Sequence, residues 1–236
     1  NHNEYSRFSE AVRNIIEEYA PMYEQASIDE FYMDFSGCAH IYGSYMNIAA
    51  FLQNKIWEEL SLPSSVGIGT TKTIAKICSD YNKPFGVTYV IPGMEKEFLR
   101  KLPAEKMPGI GEVTIKQLHA KGFYTLGQIA DSPVEYFAKV FGKSGIDIWE
   151  KSNGKGPDIL LPPSKRKSIS KETTFETDVN DKAILKATLF RLTAKVCHYL
   201  RESSMLCSTV GIKLRYSDFK TITREKTIKP TDDDKT

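Results

Sequence analysis

The chain has 236 residues, 41% of them hydrophobic, which is enough for one to three domains with real cores and excludes a disordered protein. Its apolar runs are too short to cross a bilayer and no signal-peptide pattern is present, so we expect a soluble, cytoplasmic protein. The four cysteines and four histidines are scattered without a CxxC pair, which disfavours a zinc site and a disulfide framework.

The formal net charge of +2 hides an uneven distribution. Residues 1–100 hold 8 Lys and Arg against 13 Asp and Glu, whereas residues 101–236 hold 24 against 17. A basic half joined to an acidic half is typical of a phosphate-backbone binder attached to a metal-using domain, although surface solubility alone also produces such a split.

The sequence of residues 1–93 predicts an α+β layer. Apolar residues at helical spacing predict helices over 5–19, 45–60 and from about 71 to 81, and short β-forming runs predict strands near 65–69 and 86–91. An acidic hairpin around 26–35 lies between the first two helices. This order predicts helices packed on a largely antiparallel sheet, most of a split βαβ unit with its beginning absent.

The composition changes at residue 93. Prolines and glycines break residues 94–156 into short helices, which predicts a small all-α domain. Residues 157–167, with two prolines and three consecutive basic residues, are interpreted as a linker. The third unit, 168–236, is predicted to contain a strand over 168–175, a helix over 181–201 and strands over 208–216 and 221–228.

The most unusual feature is a pair of adjacent carboxylates, Asp29 and Glu30, inside the apolar run 26–35. An uncompensated carboxylate in such a setting costs several kcal/mol, so the pair indicates a turn, a sheet edge or a cation that compensates it. Two interpretations stay open at this point: the solvated tip of a β-hairpin, and a cation site.

A glycine-rich turn over 107–114 carries Gly109, Ile110, Gly111 and Val113 between two predicted helices. Glycines allow close backbone approach, and the free N–H groups at a helix N-terminus point towards an anion. The pattern predicts a helix-hairpin-helix that contacts a DNA backbone without reading its sequence, the alternative being an ordinary helix–helix turn. Residues 141–145 are interpreted as a second hairpin, because Phe137 stands where a nucleotide P-loop requires glycine.

Lys72, Lys76 and Lys83 share the helix face opposite the apolar stripe. Lysines on one face are usually only solvated. Here they follow a glycine-rich strand end in the domain of the paired acids, so contact with a triphosphate is the alternative.

The third unit carries basic residues in strand patterns. Lys213 and Arg215 alternate with apolar residues, which gives one packed face and one basic or small face. The preceding predicted strand adds donors suited to phosphate oxygens: Arg166, Lys167, Lys171, Thr173 and Thr174. The alternative is a half-exposed sheet with solubilising charges.

Together these segments resemble the Y-family translesion DNA polymerases, most closely the DinB type, over nearly the whole chain. Residues 27–34 read SIDEFYMD, similar to S-[IL]-D-E-A-Y-L-D with Phe31 in place of alanine. Residues 66–86 read VGIGTTKTIAKICSDYNKPFG, similar to G-I-[GA]-x-x-K-x-x-A-K-x-A-S-D-x-N-K-P-x-G. Residues 108–111 resemble the thumb hairpin and 166–169 the start of the little finger.

The resemblance implies a partial ferredoxin-like palm over 1–93, a helix-hairpin-helix thumb over 94–156 and a partial α+β little finger over 168–236. It implies that Asp29 and Glu30 are two of three acidic ligands for two Mg²⁺ ions, and that Lys76, with Lys72, contacts the incoming deoxynucleoside triphosphate. Asp34 is expected to support the hairpin. The implied partners are primer–template DNA and a sliding clamp bound through a segment outside this chain, and the implied protein is monomeric, bacterial and cytoplasmic.

Two departures from the family pattern qualify these expectations. The N-terminal strand with the third carboxylate, the residue that excludes ribonucleotides and the fingers have no counterpart here, and the end of the little finger is also absent. We therefore expect the chain as written to lack full catalysis, whereas the complete protein is expected to perform low-fidelity lesion bypass. The alternative from another class is a non-catalytic helix-hairpin-helix DNA-binding repair module.

Overall fold

The computed structural model describes residues 2–161 and 166–233 and divides the chain into two compact units, 1–163 and 164–236. The predicted linker 157–167 is therefore described only in part, and its residues 162–165 lie outside the described ranges.

The first unit begins with an α+β region whose elements follow the predicted order with one short additional helix. They are α1 (His2–Tyr19), β1 (Met22–Gln25), β2 (Phe31–Asp34), α2 (Ala39–Tyr42), α3 (Tyr45–Leu60), β3 (Val66–Ile68), α4 (Lys72–Tyr81) and β4 (Val87–Tyr89). The α+β class is confirmed.

The strands form two separate pairs rather than one largely antiparallel sheet, so that expectation is wrong for half of them. β1 pairs with β2 antiparallel, but β3 pairs with β4 parallel. The physical reason is α4, because a helix that crosses over between two strands brings the second back in the same direction. Gly67 in β3 permits the close packing: a Cβ there would lie 1.9 Å from the carbonyl oxygen of Ala75 in α4.

Four helices and a 3₁₀ turn lie between residues 95 and 152 of the first unit. They are α5 (Glu95–Arg100), a 3₁₀ turn (Ala104–Lys106), α6 (Glu112–Ala120), α7 (Leu126–Ala130) and α8 (Val134–Ser152). The last of these is interrupted at Gly142, whose φ of 61° and ψ of −141° are not helical. One buried cluster runs from Ile74 and Cys78 of α4 to Leu118 and Phe137, so the α+β and helical parts share a continuous core.

The second unit contains α9 (Lys182–Glu202) and the antiparallel pair β5 (Cys207–Arg215) and β6 (Thr221–Thr231). Residues 168–175 form no strand, contrary to the prediction. They are almost entirely exposed, and Glu172 meets β5 through its side chain, at 2.8 Å from Lys213, without a backbone ladder. The predicted packed face of β5 is also half exposed, since Ile212 and Leu214 retain 44% and 43% of their accessible surface.

None of the described helices combines the length and the apolar character that a membrane span needs.

Candidate functional site

The two adjacent acids lie at the connection between β1 and β2. The backbone N–H groups of Ala26 and Ser27 both donate to the carbonyl of Glu30, which closes the turn. Asp29 is exposed at its tip, and its carboxylate accepts a hydrogen bond of 2.7 Å from the Ser27 hydroxyl. The acids are therefore at a hairpin tip, as one of the two interpretations of the sequence expected; Asp29 is exposed and the Glu30 side chain is 41% exposed.

Glu30 forms an ion pair with Lys76 of α4. Burial of Lys76 would lower its pKa, but the carboxylates of Glu30 and Asp80 outweigh burial and raise it. Asp80 lies 3.6 Å from Lys76 and 2.5 Å from Lys83. Burial would raise the pKa of Asp80, but these two ammonium groups hold it below its ordinary value. The result is an alternating row of charges that begins at the acidic turn.

A cleft of about 920 Å³ brings the predicted residues together. Asp29, Glu30 and Lys76 all line it, and so does Lys83. Much of the remaining wall is apolar and comes from α1, α3, β2 and β3. An open space bounded by the carboxylates of Asp29, Glu30 and Asp34 and by two ammonium groups can accept a ligand that carries both a metal ion and anionic oxygens.

Lys72 does not line this cleft. Its ammonium pairs with Glu24 of β1, whose carboxylate also accepts a hydrogen bond of 2.6 Å from the backbone N–H of Leu161. Burial would raise the pKa of Glu24, but the Leu161 N–H and the Lys72 ammonium outweigh it and hold this pKa below its ordinary value. A triphosphate contact for Lys72 stays a prediction from sequence, and its amine is occupied in the structure.

The carboxylates of the cleft are oxygen donors of the kind that a hard divalent cation prefers. Among the described residues no group of three or more His, Cys, Asp or Glu side chains is placed to hold a metal. Asp29 and Glu30 supply two adjacent carboxylates on one cleft. Mg²⁺ is commonly held by one or two carboxylates with substrate phosphates and water, so these residues fit a site that the substrate completes.

Asp34 lies on β2 away from the turn, and its carboxylate accepts the backbone N–H of Ser36 at 2.8 Å. The Ser36 hydroxyl and N–H together lower the pKa of Asp34. This contact agrees with the expected supporting role in the hairpin.

The predicted helix-hairpin-helix turn lies between the 3₁₀ turn and α6. Gly109 has a φ of +85°, which only glycine adopts without strain, and Gly111 precedes the first residue of α6 without a side-chain cap. Val113 is 72% exposed, whereas Ile110 packs against the buried cluster. The α6 N-terminus therefore presents uncapped N–H groups on an exposed turn.

The break at Gly142 gives α8 a second internal helix start, which fits the predicted second hairpin. Ser144 and Asp147 after the break line a small cleft of about 140 Å³ together with Gly109 and Thr114 of the first turn. The two glycine turns are thus neighbours on one side of the helical part.

The predicted DNA contacts of the second unit are exposed, although several have protein partners. Arg166, Lys167 and Thr174 are exposed, and Lys171 lies over the ring of Tyr199 at 4.7 Å. Lys213 is paired with Glu172 as described above, and the Nε of Arg215 lies 3.4 Å from the Thr221 hydroxyl. Among residues 166–233, all of these charged side chains are exposed.

Two family models match the chain, the impB/mucB/samB family over residues 1–80 and its C-terminal domain over residues 166–236. This chain belongs to the impB/mucB/samB family. The resemblance to Y-family polymerases seen in the sequence is thereby confirmed. Among the family's curated members, "DNA polymerase IV" of Lactococcus lactis subsp. lactis (strain IL1403) is 37% identical over 228 residues, covering 97% of this chain and 63% of that protein. "DNA polymerase IV" of Dehalococcoides mccartyi is 35% identical over 226 residues, covering 96% of this chain and 58% of that protein.

Solved structures of other proteins share the fold of this chain. A "Y-family DNA polymerase chimera Dbh-Dpo4(243-245)-Dbh" superposes with a TM-score of 0.85 at 24% identity, covering 97% of this chain and 66% of that one. The "Insertion ternary complex of Dbh DNA polymerase" gives a TM-score of 0.64 at 22% identity, with 97% and 66% coverage. The chain spans about three fifths of the length of the curated relatives it matches.

Sequence reasoning missed two residues that organise the site. Asp80 joins Lys76 and Lys83, and its spacing of four from Lys76 on one helix could have indicated this. Glu24 could not have been found in this way, because its partner Lys72 is 48 residues distant and belongs to another element.

Proposed function

We propose that the complete protein is a translesion DNA-directed DNA polymerase, a nucleotidyltransferase that adds deoxynucleotides to a primer 3′ end with low fidelity and bypasses lesions in DNA repair. The observation that carries the proposal is the convergence of Asp29, Glu30 and Lys76 on one cleft, in a chain of this family. Carboxylates for a metal and an ammonium for phosphate oxygens are the two charge types that nucleotidyl transfer requires at one place.

Asp29 and Glu30 are the residues that would hold two Mg²⁺ ions. When bound, such ions would activate the primer 3′-hydroxyl and would neutralise charge on the triphosphate and the leaving pyrophosphate. Lys76 compensates the charge of Glu30 through their ion pair. The same ammonium would be available to a phosphate oxygen of the substrate.

The remaining surfaces would hold DNA. The exposed α6 N-terminus at Gly111 and the turn at Gly109 would contact backbone phosphates, and so would Lys213 and Arg215 of the second unit. In this assignment residues 1–93 are the palm, 94–156 the thumb and 168–236 the little finger. We also propose that the complete protein is monomeric and binds a sliding clamp.

The test is Mg²⁺-dependent primer extension by the full-length protein. Asp29→Asn and Glu30→Gln keep the side-chain shape while removing the metal-binding charge, and each is expected to lower the extension rate by at least about a hundredfold, roughly 2.7 kcal/mol of barrier. Glu58→Gln, on an exposed position of α3, is the matched control and should leave the rate unchanged.

Retention of the rate within about tenfold by either site variant, roughly 1.4 kcal/mol, would remove the metal role. Primer–template binding without extension by the full-length wild type would instead support the non-catalytic helix-hairpin-helix module.

A further inference from the structure

One partly buried ion pair in the first unit lies outside the cleft and connects distant parts of the chain. Glu24 is the third residue of β1 and Lys72 the first residue of α4. Their side chains are only 18% and 14% exposed. Glu24 also accepts the backbone N–H of Leu161, the last residue described before the second unit. We name Glu24, Lys72 and the Leu161 N–H the Glu24 anchor.

The segment that follows α8 is held at both of its ends. At its start, the carbonyl of Pro157 accepts the backbone N–H of Lys72 at 3.1 Å, a donor that the first turn of α4 leaves without an intrahelical partner. At its end, Leu161 donates to Glu24. Leu160 between them is buried. Residues 157–161, interpreted from their sequence as part of a linker, are thus bound to the rest of the first unit.

Lys72 also contacts the strand that carries the acidic turn. Its ammonium lies 5.6 Å from the centre of the Tyr32 ring, and Tyr32 on β2 is the register partner of Glu24 on β1. The lysine is therefore enclosed by β1, β2 and the start of the linker. An ammonium in this position has little freedom to reach a ligand in the cleft, which it does not line.

We propose that Glu24 and Lys72 are positioning residues: they fix residues 157–161 and the N-terminus of α4 against the β1–β2 hairpin, and Lys72 contacts no triphosphate. The anchor joins the hairpin that carries Asp29 and Glu30 to the helix that carries Lys76, so it sets the spacing of the two halves of the proposed site. This last consequence rests on the proposed polymerase function, whereas the anchor itself does not.

Hydrogen exchange of the full-length protein tests the anchor without reference to activity. In Glu24→Gln, the amides of residues 158–161 are expected to exchange at least tenfold faster than in the wild type, because the charged acceptor of the Leu161 N–H is gone. Glu59→Gln breaks an exposed ion pair with Lys55 on α3 and is the matched control, with no expected change at 158–161. Unchanged exchange at 158–161 in Glu24→Gln would overturn the proposal.

Nucleotide kinetics separate a positioning role from a triphosphate contact. Positioning predicts that Glu24→Gln and Lys72→Met lower kcat alike, and that the double variant, which leaves a neutral pair of similar shape, is no worse than the poorer single variant. A triphosphate contact predicts instead that Lys72→Met raises the nucleotide KM at least tenfold while Glu24→Gln, which frees the lysine, does not. The second pattern would overturn the assignment of Lys72, and if the wild type extends no primer, the exchange result alone decides.

Discussion

The two units use their basic residues in different ways. In the first unit, Lys72 and Lys76 are held by carboxylates that come from other elements, and both lysines are largely buried. In the second unit, Lys213 and its partner Glu172 are both at least half exposed, and Arg166 and Lys167 are exposed. Exposed ion pairs contribute little to stability, whereas a buried pair cannot lose one member cheaply. The charges of Lys72 and Lys76 are therefore held within the structure of the first unit, whereas the exposed charges of the second unit are available to a polyanion.

The two units also differ in how closely their strands are packed, and this difference predicts the largest effect. It can be tested by substituting one strand glycine in each unit. Gly67→Ala in β3 would place a Cβ 1.9 Å from the Ala75 carbonyl and 2.4 Å from the Ser79 nitrogen, both backbone atoms of α4. The strand and helix must separate, so we expect a loss of more than about 4 kcal/mol of unfolding free energy. Denaturant unfolding of the first unit measures it.

Gly211→Ala in β5 is the matched substitution in the second unit. Its Cβ would meet the Cγ of Glu225 at 3.3 Å, a flexible side chain that can move aside. We expect a change within about 1 kcal/mol. Equal losses of unfolding free energy for the two variants would mean that both glycines are packed equally tightly, which would contradict the structure.

The order of elements could be predicted from the sequence because it depends on local periodicity. The helix of residues 181–201 and the two strands that follow it were found within two or three residues of their observed ends. The acidic turn and the lysine-bearing face of α4 were also predictable, since both lie within short segments. These features carry the family motifs, which is why the fold class and the family were recognised.

Pairings between distant segments could not be predicted. The parallel pairing of β3 with β4 depends on how α4 packs, and the Glu24 anchor joins residues up to 137 apart in sequence. Residues 168–175 were predicted to form a strand but form no ladder with β5 in the structure. A local sequence can favour a strand, but which strand edge it would pair with depends on tertiary structure.

The pH dependence of the unfolding free energy also distinguishes the two units, and here we expect an effect of intermediate size. The pKa of Glu24 is below that of an unfolded glutamate, so its contribution to stability is complete above the unfolded pKa and is lost as pH falls through the folded pKa. Glu24→Gln should therefore reduce the slope of unfolding free energy against pH in the acid range. Denaturant titrations at several acid pH values measure that slope.

Glu172→Gln serves as the comparison in the second unit. Lys213 lowers the pKa of Glu172 as well, but both groups are open to solvent. We expect almost no change of slope for this variant, because water screens the pair in the folded protein. A slope change as large as that of Glu24→Gln would contradict the distinction between structural and available charge.

The smallest expected effect concerns DNA affinity, and it follows from the charges that the second unit leaves exposed. Lys213→Ala with Arg215→Ala is expected to reduce the slope of log K for primer–template binding against log salt by about 1.8, close to 0.9 for each lost phosphate contact. Lys55→Ala removes one positive charge from α3 of the first unit and should leave the slope unchanged. Glu172→Gln releases Lys213 from its carboxylate and is expected to strengthen binding several-fold at low salt.

Fluorescence anisotropy over a salt series measures all three variants. A slope that does not respond to the double substitution would remove β5 from the proposed DNA interface, while a response to Lys55→Ala of equal size would show that binding depends on total charge rather than on this strand.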